Sequence, residues 1–137
     1  MIVKDVNTIV YLLTDSPKRE SAVRLRKIDG DWRVPALWKH EMLNVIATLT
    51  RGKQIEVADS YVLWNNAINM FAPNEHNPNL VNALNLAMEK NISAYEAQYI
   101  TLAKELGVYC VTEDTRLLKK FPDLTISMKK FRETHAR

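Results

Sequence analysis

Four acidic residues stand at positions where a carboxylate can do chemistry: Asp5, Glu41, Glu96 and Asp114. Asp5 follows an apolar run at the start of the chain and Asp114 follows another, Val108–Val111, so each would end a strand. If these strands are parallel, their carboxyl ends share one edge of a sheet, where open α/β folds bind ligands. Like charges gathered there repel one another unless a cation neutralises them. The pattern therefore predicts a Mg²⁺ or Mn²⁺ site, because these ions prefer oxygen ligands and keep waters for a phosphate substrate.

Each acid also has a structural alternative, which the sequence leaves open. Asp5 could cap the helix that follows it, and Asp114 could cap the turn Thr115–Leu118. Ser93–Glu96 has the capping-box pattern, in which the hydroxyl and the carboxylate satisfy backbone N–H groups reciprocally. Glu41 borders the apolar stripe of its helix instead of the solvated face, and this position favours function.

Several other chemistries are not predicted. The three histidines have no ligand spacing and one cysteine is too few, so zinc is a poor match. A dinucleotide fingerprint and a phosphate-cradling loop both need clustered glycines. The three glycines here, Gly30, Gly52 and Gly107, are isolated from one another. The sequence also has no glycine-flanked serine of the kind that forms a nucleophile elbow.

The length and composition predict one globular domain over residues 1–137. The mass is 15.8 kDa, with 47% hydrophobic and 26% charged residues. Cys110 is the only cysteine, so an internal disulfide is not possible and a cytoplasmic setting is expected. Lys4 and Asp5 interrupt any leader pattern, and no stretch approaches the ~18 apolar residues of a membrane span.

The net charge of +3 is unevenly distributed. From Arg116 onward there are seven basic and two acidic residues, a net charge of +5, whereas residues 1–115 carry a net charge of −2. A basic tail beside an acidic remainder suits a polyanion held next to a cation site. An ordinary solvated C-terminal helix is the alternative.

Helices alternate with short apolar strands along the chain. We predict strands at Ile2–Val6, Trp32–Val34, Val108–Val111 and Thr125–Ser127. We predict helices at Thr8–Leu13, from Asp15-Ser16-Pro17 to Lys27, from Pro35 to Arg51, at Val57–Met70, Leu80–Met88, before Gly107 and at Met128–His135. The segment Phe71–Asn79 is a loop with room for a short strand. This alternation predicts a three-layer α/β/α sandwich with a mainly parallel central sheet.

Three stretches resemble the motifs of PIN-domain ribonucleases. Their opening motif, an Asp at a strand end with an Asn two residues later, is similar to VKDVNTIVYLL. Their second motif, a Pro followed by a Glu on the next helix, is similar to VPALWKHEMLNVIATL. Their third and fourth motifs resemble SAYEAQYITLAKELGVYCVTEDTRL in order and spacing. The small size of the chain is typical of a VapC-type toxin of a toxin–antitoxin pair.

The resemblance implies a site, partners and an assembly. Its acidic site would be Asp5, Glu41, Glu96 and Asp114, supported by the polar residues Asn7 and Thr112. The third acid is more often Asp in this family, so Glu96 is a departure that could move this carboxylate away from the cation. The resemblance also implies a homodimer, a cognate antitoxin that blocks the groove, and structured RNA such as tRNA as substrate.

Three hypotheses of function follow. The first is a Mg²⁺- or Mn²⁺-dependent endoribonuclease, whose RNA backbone would be held by Arg116, Lys119, Lys120, Lys129 and Lys130. The second is a non-catalytic RNA- or protein-binding module that has lost metal, and the Glu96 replacement motivates it. The third is a phosphoacceptor receiver domain. That class requires adjacent acids after the first strand and a strand-end Lys, and neither pattern is obvious here.

Overall fold

A central sheet of five parallel strands organises residues 1–136, which a computed structural model of the chain describes. The strands lie in the order β3-β2-β1-β4-β5. Their bounds are β1 Ile2–Lys4, β2 Trp32–Pro35, β3 Glu75–His76, β4 Cys110–Val111 and β5 Thr125–Ile126. Every neighbouring pair is parallel. The predicted parallel sheet is confirmed.

Helices cover both faces of this sheet. They are α1 Val6–Leu13, α2 Arg19–Ile28, α3 Trp38–Arg51, α4 Val57–Phe71, α5 Leu80–Lys90, α6 Ala94–Leu106, α7 Thr115–Lys120 and α8 Met128–His135. A 3₁₀ turn, Ala72–Asn74, precedes β3. Side chains alternate between the faces along a strand. Ile2 accordingly packs in the apolar cluster of α1–α4 and α8, whereas Val3 packs in the cluster of α5–α7. The three-layer α/β/α prediction is confirmed.

Two predicted helix starts are wrong. Ser16 is held in a turn by Lys18 and Arg19, whose N–H groups bond to its hydroxyl and carbonyl oxygens at 3.2 and 3.0 Å, so α2 begins only at Arg19. Pro35 does not begin a helix either. It pairs with His76 in the sheet, which holds it extended, and α3 begins at Trp38.

The strand before Asp114 is shorter than predicted. The N–H of Val108 donates to the carbonyl of Ala103 at 3.0 Å, so this residue belongs to the C-terminal cap of α6. Gly107 forms that cap in the left-handed conformation at φ 67°, as its position predicted. Tyr109 is 38% exposed, and regular strand pairing starts at Cys110.

Two apolar stripes do not face the core throughout. The helical spacing of apolar residues before Gly107 predicts one buried stripe on α6: Tyr95, Tyr99, Leu102, Ala103 and Leu106. Tyr95, the first member of this stripe, is exposed, because the buried part of the helix begins at Ala97. On α5 four apolar side chains of the predicted helix are all more than half exposed: Leu80, Val81, Leu84 and Met88. The predicted helix is present, but it contacts the core through Ala83, Leu86 and Ala87 and not through these four side chains. Among residues 1–136, no helix has both the length and the apolar character needed to cross a membrane.

Candidate active site

A pocket of about 430 Å³ lies at the carboxyl edge of the central strands. β2 lies on one side of β1 and β4 on the other, so the direction of winding reverses here. Such a reversal opens a crevice between neighbouring loops. All six residues of the predicted acidic site and its polar supports line this pocket: Asp5, Asn7, Glu41, Glu96, Thr112 and Asp114. The fold therefore brings together residues from four distant segments.

Asp5 follows β1 directly and caps α1. Its Oδ1 accepts from the backbone N–H of Thr8 at 3.1 Å and from the Thr8 hydroxyl at 3.0 Å. The same oxygen lies 3.6 Å from Nζ of Lys4, the residue before it. Both the capping role and the position in the pocket are thus present, because a capping Asp needs only one of its two oxygens.

Asp114 follows β4 and caps α7 in the same way. Its Oδ1 accepts from the N–H groups of Arg116 and Leu117 at 2.9 and 3.1 Å. The hydroxyl of Thr112 accepts from the backbone N–H of Asp114 at 3.2 Å and lies 3.5 Å from Oδ2 of Asp5. Thr112 therefore lies between the two strand-end acids.

Glu41 reaches the pocket from α3 and is bound by a tyrosine of α6. The phenol of Tyr99 donates to Oε1 of Glu41 at 2.6 Å. Burial raises the pKa of Glu41; the Tyr99 hydrogen bond opposes this change, and the negative charge of Asp5 adds to it. Burial and the nearby Glu41 carboxylate raise the pKa of Tyr99 well above its ordinary value, so its hydroxyl remains a donor.

Glu96 is engaged on both of its carboxylate oxygens. The predicted capping box is formed: the N–H of Glu96 donates to the Ser93 hydroxyl at 3.0 Å, and Oε1 of Glu96 accepts from the N–H of Ser93 at 3.1 Å. Oε2 accepts from the guanidinium of Arg116 at 2.7 Å. The residue that departs from the family pattern is therefore also held by a cation of the chain itself.

The chemistry of the donors fits a hard divalent cation, because every charged group of the predicted site that lines the pocket is a carboxylate. Within residues 1–136, Oε2 of Glu41 and Oδ2 of Asp114 have no hydrogen-bond partner. The side chains do not converge, however. No three Asp, Glu, His or Cys residues of the described chain are grouped closely enough to hold a metal. Asp5, Glu41 and Asp114 supply carboxylate oxygens of the kind that such an ion takes, whereas both oxygens of Glu96 are engaged by Ser93 and Arg116.

The predicted RNA contacts are distributed around the same edge. α8 begins two residues after β5, which places Lys129 and Lys130 in its first turn near the carboxyl edge of the sheet. Lys119 is exposed in the last turn of α7. Lys120 is already hydrogen-bonded within the protein, since its ammonium donates to the carbonyls of Lys90 and Asn91 at 2.6 and 3.2 Å.

A family model described as "PIN domain" matches residues 2–124. The chain belongs to the PIN domain family. Proteins with this domain are typically nucleases, and PIN nucleases generally use divalent metals. Every residue of the acidic pocket lies within the matched region of the PIN domain.

Two solved structures share the PIN fold of this chain. PAE2754 from Pyrobaculum aerophilum is 19% identical with a TM-score of 0.76, over 98% of this chain and 96% of that chain. FitAcB from Neisseria gonorrhoeae is 19% identical with a TM-score of 0.67, over 94% of this chain and 99% of that chain. At this identity the likeness shows the fold alone. A comparison with curated proteins found no match.

Two residues near the PIN-domain pocket were not predicted from the sequence. Tyr99 was assigned only to the apolar stripe of α6, although it lies three residues after Glu96 and so shares its helix face. Lys4 was considered only as an interruption of a leader. A lysine inside an otherwise apolar strand, directly before the first acid, was the signal that could have identified it.

Proposed function

We propose that this PIN domain, spanning residues 1–137, is a Mg²⁺- or Mn²⁺-dependent endoribonuclease. One observation carries the proposal: Asp5, Glu41 and Asp114, which are 36 or more positions apart in sequence, line one pocket at the carboxyl ends of β1 and β4. Clustered carboxylates repel one another, and an arrangement of this kind is stabilised by a divalent cation. Membership of a family of typical nucleases supports the same reading.

Asp5, Glu41 and Asp114 would hold the ion, and Glu96 would join them once it is released from Arg116. A divalent ion bound there supplies a water of lowered pKa and neutralises charge that develops on the scissile phosphate. The residues of the chain do the positioning. Tyr99 holds the Glu41 carboxylate at 2.6 Å, and Thr112 contacts both strand-end acids through its hydroxyl.

Cations at the rim of the pocket would bind the RNA backbone. Arg116 lies beside Glu96 with a side chain that is 54% exposed, so its remaining N–H groups can reach a phosphate. Lys129 and Lys130 at the start of α8 are exposed near the same edge. These contacts are independent of base sequence, so they would hold RNA in the pocket without selecting the cleaved site. We propose a structured RNA such as tRNA as the substrate and the cytoplasm as the place of action.

We propose further that the chain is the VapC-type toxin of a toxin–antitoxin pair. A second pocket, of about 650 Å³, lies between α1 and α4 and shares Tyr11 with the acidic pocket. Its wall includes apolar residues such as Leu13, Leu49 and Val62 together with acids such as Asp15 and Glu56. An antitoxin segment with apolar and basic side chains would fit there beside the active site. An adjacent small reading frame that encodes a DNA-binding segment and an amphipathic tail supports this proposal, and an isolated gene contradicts it.

We also propose a homodimer formed through α5. Leu80, Val81, Leu84 and Met88 leave 52 to 66% of their surfaces exposed on this one helix. Removing apolar groups from water lowers the free energy of the system, and an exposed apolar patch of this kind marks an interaction surface. A second copy of the chain offers an equivalent patch, as two-fold association requires.

The decisive experiment for the nuclease is RNA cleavage by the purified protein with Mn²⁺ and with EDTA. We expect the wild-type protein to cleave RNA with Mn²⁺ and not with EDTA. We expect the Asp5→Asn, Asp114→Asn double variant to cleave about a hundredfold or more slowly with Mn²⁺. Asn caps a helix about as well as Asp, so this variant keeps both caps. Asp123→Asn, an exposed acid of the turn after α7, is the matched control and should cleave at the wild-type rate. Unchanged Mn²⁺-dependent cleavage by the double variant contradicts the proposal.

The second candidate is a non-catalytic RNA- or protein-binding module. The ion pair of Glu96 with Arg116, together with the lack of a converged ligand group in residues 1–136, favours it. Under this alternative the wild-type protein binds RNA equally well with Mn²⁺ and EDTA and produces no cut ends. Mapping the ends after incubation with tRNA and with unstructured RNA separates the two functions and identifies the preferred substrate.

A further inference from the structure

Lys4 is a charged side chain with no exposed surface, and it lies next to Asp5 of the acidic pocket. No other charged residue in the described part of the chain belongs to the buried class. Removing an ammonium group from water is costly, and a protein retains it only with close polar partners. The side chain does not line the pocket itself, so the mechanism proposed above makes no use of it.

The ammonium of Lys4 has two partners. It donates to the carbonyl oxygen of Val111 at 2.6 Å, and it lies 3.6 Å from Oδ1 of Asp5. Lys4 and Val111 are register partners in the pairing of β1 with β4. The charge therefore lies at the ends of β1 and β4, the two strands that the acids Asp5 and Asp114 follow.

The cations of the chain are unevenly shared among the pocket acids. Asp5 has Lys4 at 3.6 Å and Glu96 has Arg116 at 2.7 Å. Glu41 and Asp114 form no ion pair with any basic side chain of residues 1–136. Arg116 is half exposed and can move away, whereas Lys4 is enclosed on every side. Of these two cations, only Lys4 is therefore fixed in position beside the pocket acids.

We propose that Lys4 is a positioning residue that serves as a permanent counter-charge to Asp5. It holds the Asp5 carboxylate in place before a divalent ion binds, and its positive charge lowers the affinity of the pocket for that ion. This inference rests on the proposed metal-dependent function. It has a consequence that a purely structural lysine lacks: removal of the charge should strengthen metal binding.

The first test uses metal-free protein in EDTA and leaves Lys4 unchanged. Asp5→Asn and Asp114→Asn are matched, because each keeps a helix cap and removes one pocket charge. We expect Asp5→Asn to unfold at a lower temperature than Asp114→Asn, since only the first leaves a buried ammonium without its carboxylate. Equal melting temperatures, or a higher one for Asp5→Asn, would overturn the proposal.

The second test measures Mn²⁺ binding by titration calorimetry in Lys4→Gln and Lys4→Met. Gln keeps a donor for the Val111 carbonyl and Met does not, so the pair separates charge from hydrogen bonding. We expect both variants to bind Mn²⁺ about tenfold more tightly than the wild type, since a repulsive charge has been removed. Affinity equal to or weaker than that of the wild type would overturn the proposal.

The two tests also separate this inference from the proposed function. Wild-type protein that binds no Mn²⁺ would overturn the metal-dependent nuclease, whereas the comparison in EDTA would still decide whether Lys4 is paired with Asp5. Wild-type protein that binds Mn²⁺ as tightly as both Lys4 variants would overturn the inference alone. If neither Lys4 variant folds, the comparison in EDTA decides the question.

Discussion

The hydroxyl of Tyr99 on α6 and Oε1 of Glu41 on α3 are joined by a hydrogen bond of 2.6 Å. The two helices lie on opposite faces of the sheet, since α3 belongs to one apolar cluster and Tyr99 to the other. Their side chains meet past the carboxyl edge, above the ends of β1 and β4. This bond therefore connects the outer layers across the pocket and fixes one acid that no cation of the described chain neutralises.

Tyr99→Phe should destabilise the protein and weaken metal binding. The substitution leaves a partly buried carboxylate oxygen without its donor, which costs about 1 kcal/mol. It also raises the pKa of Glu41 further, because the opposing hydrogen bond is lost. Thermal unfolding and Mn²⁺ titration measure the two effects. Tyr95→Phe is the control on the same helix, where the ring is 65% exposed, and should change neither quantity.

Glu41→Gln should stabilise the metal-free protein at neutral pH. Burial raises the pKa of Glu41 above its ordinary value of 4.5, so the folded state favours the protonated form. The stabilisation from this group is complete below the ordinary value and is lost as pH rises through the raised value. The stability advantage of Glu41→Gln should therefore be small near pH 4.5 and grow to a plateau above the raised pKa. Melting temperatures in EDTA across this range check it, and an advantage independent of pH contradicts it.

Two substitutions of Glu96 distinguish its capping role from a role at the metal. Gln is accepted in a capping box, so Glu96→Gln should keep the stability of α6 while removing the charge. Glu96→Ala loses the box as well and should cost about 1 kcal/mol of stability. If Glu96 joins the metal site, both variants lose RNA cleavage. Full activity in Glu96→Gln would assign this residue to the helix cap alone.

Arg116→Ala should weaken RNA binding and reduce its dependence on salt. One lost phosphate contact lowers the slope of log affinity against log salt by about 1. Arg24→Ala is the matched control, because Arg24 also forms an ion pair of 2.6 Å with a glutamate, on α2 away from the pocket. Filter-binding titrations at several salt concentrations compare the two variants. If the slope of log affinity against log salt is the same in both variants, Arg116 does not contact an RNA phosphate.

Leu84→Glu should convert the proposed dimer to a monomer. Leu84 is 52% exposed in the apolar face of α5, and a charge buried between two copies would lack a partner. Val57→Glu is the control, since Val57 is 59% exposed at the start of α4 and does not belong to that face. Sedimentation velocity measures the assembly state. A wild-type chain that sediments as a monomer contradicts the proposed dimer.

Local patterns in the sequence were sufficient to predict the layers of the fold and to select six residues that line the pocket. Alternation of apolar runs with amphipathic stripes indicated the parallel sheet, and Gly107 marked the end of α6. Asp5 and Asp114 could be placed at one edge because each follows a strand. Their roles as metal ligands stay a prediction.

What the sequence could not supply depends on contacts between distant segments. Pro35 has the local signature of a helix start, but pairing with His76 holds it in β2. Tyr99 could be assigned to the core but not to Glu41, which is 58 positions away. The ion pair of Arg116 with Glu96 is equally remote in sequence.

The central position of β1 has a consequence for synthesis of the protein. A chain grows from its N-terminal side, so Asp5 is made 109 positions before Asp114, and β1 cannot pair with β4 until β4 has also been made. Every growing polypeptide that ends before residue 114 lacks Asp114 and the loop that carries it. The acidic pocket is therefore incomplete throughout synthesis of the segment that separates its two strand-end acids.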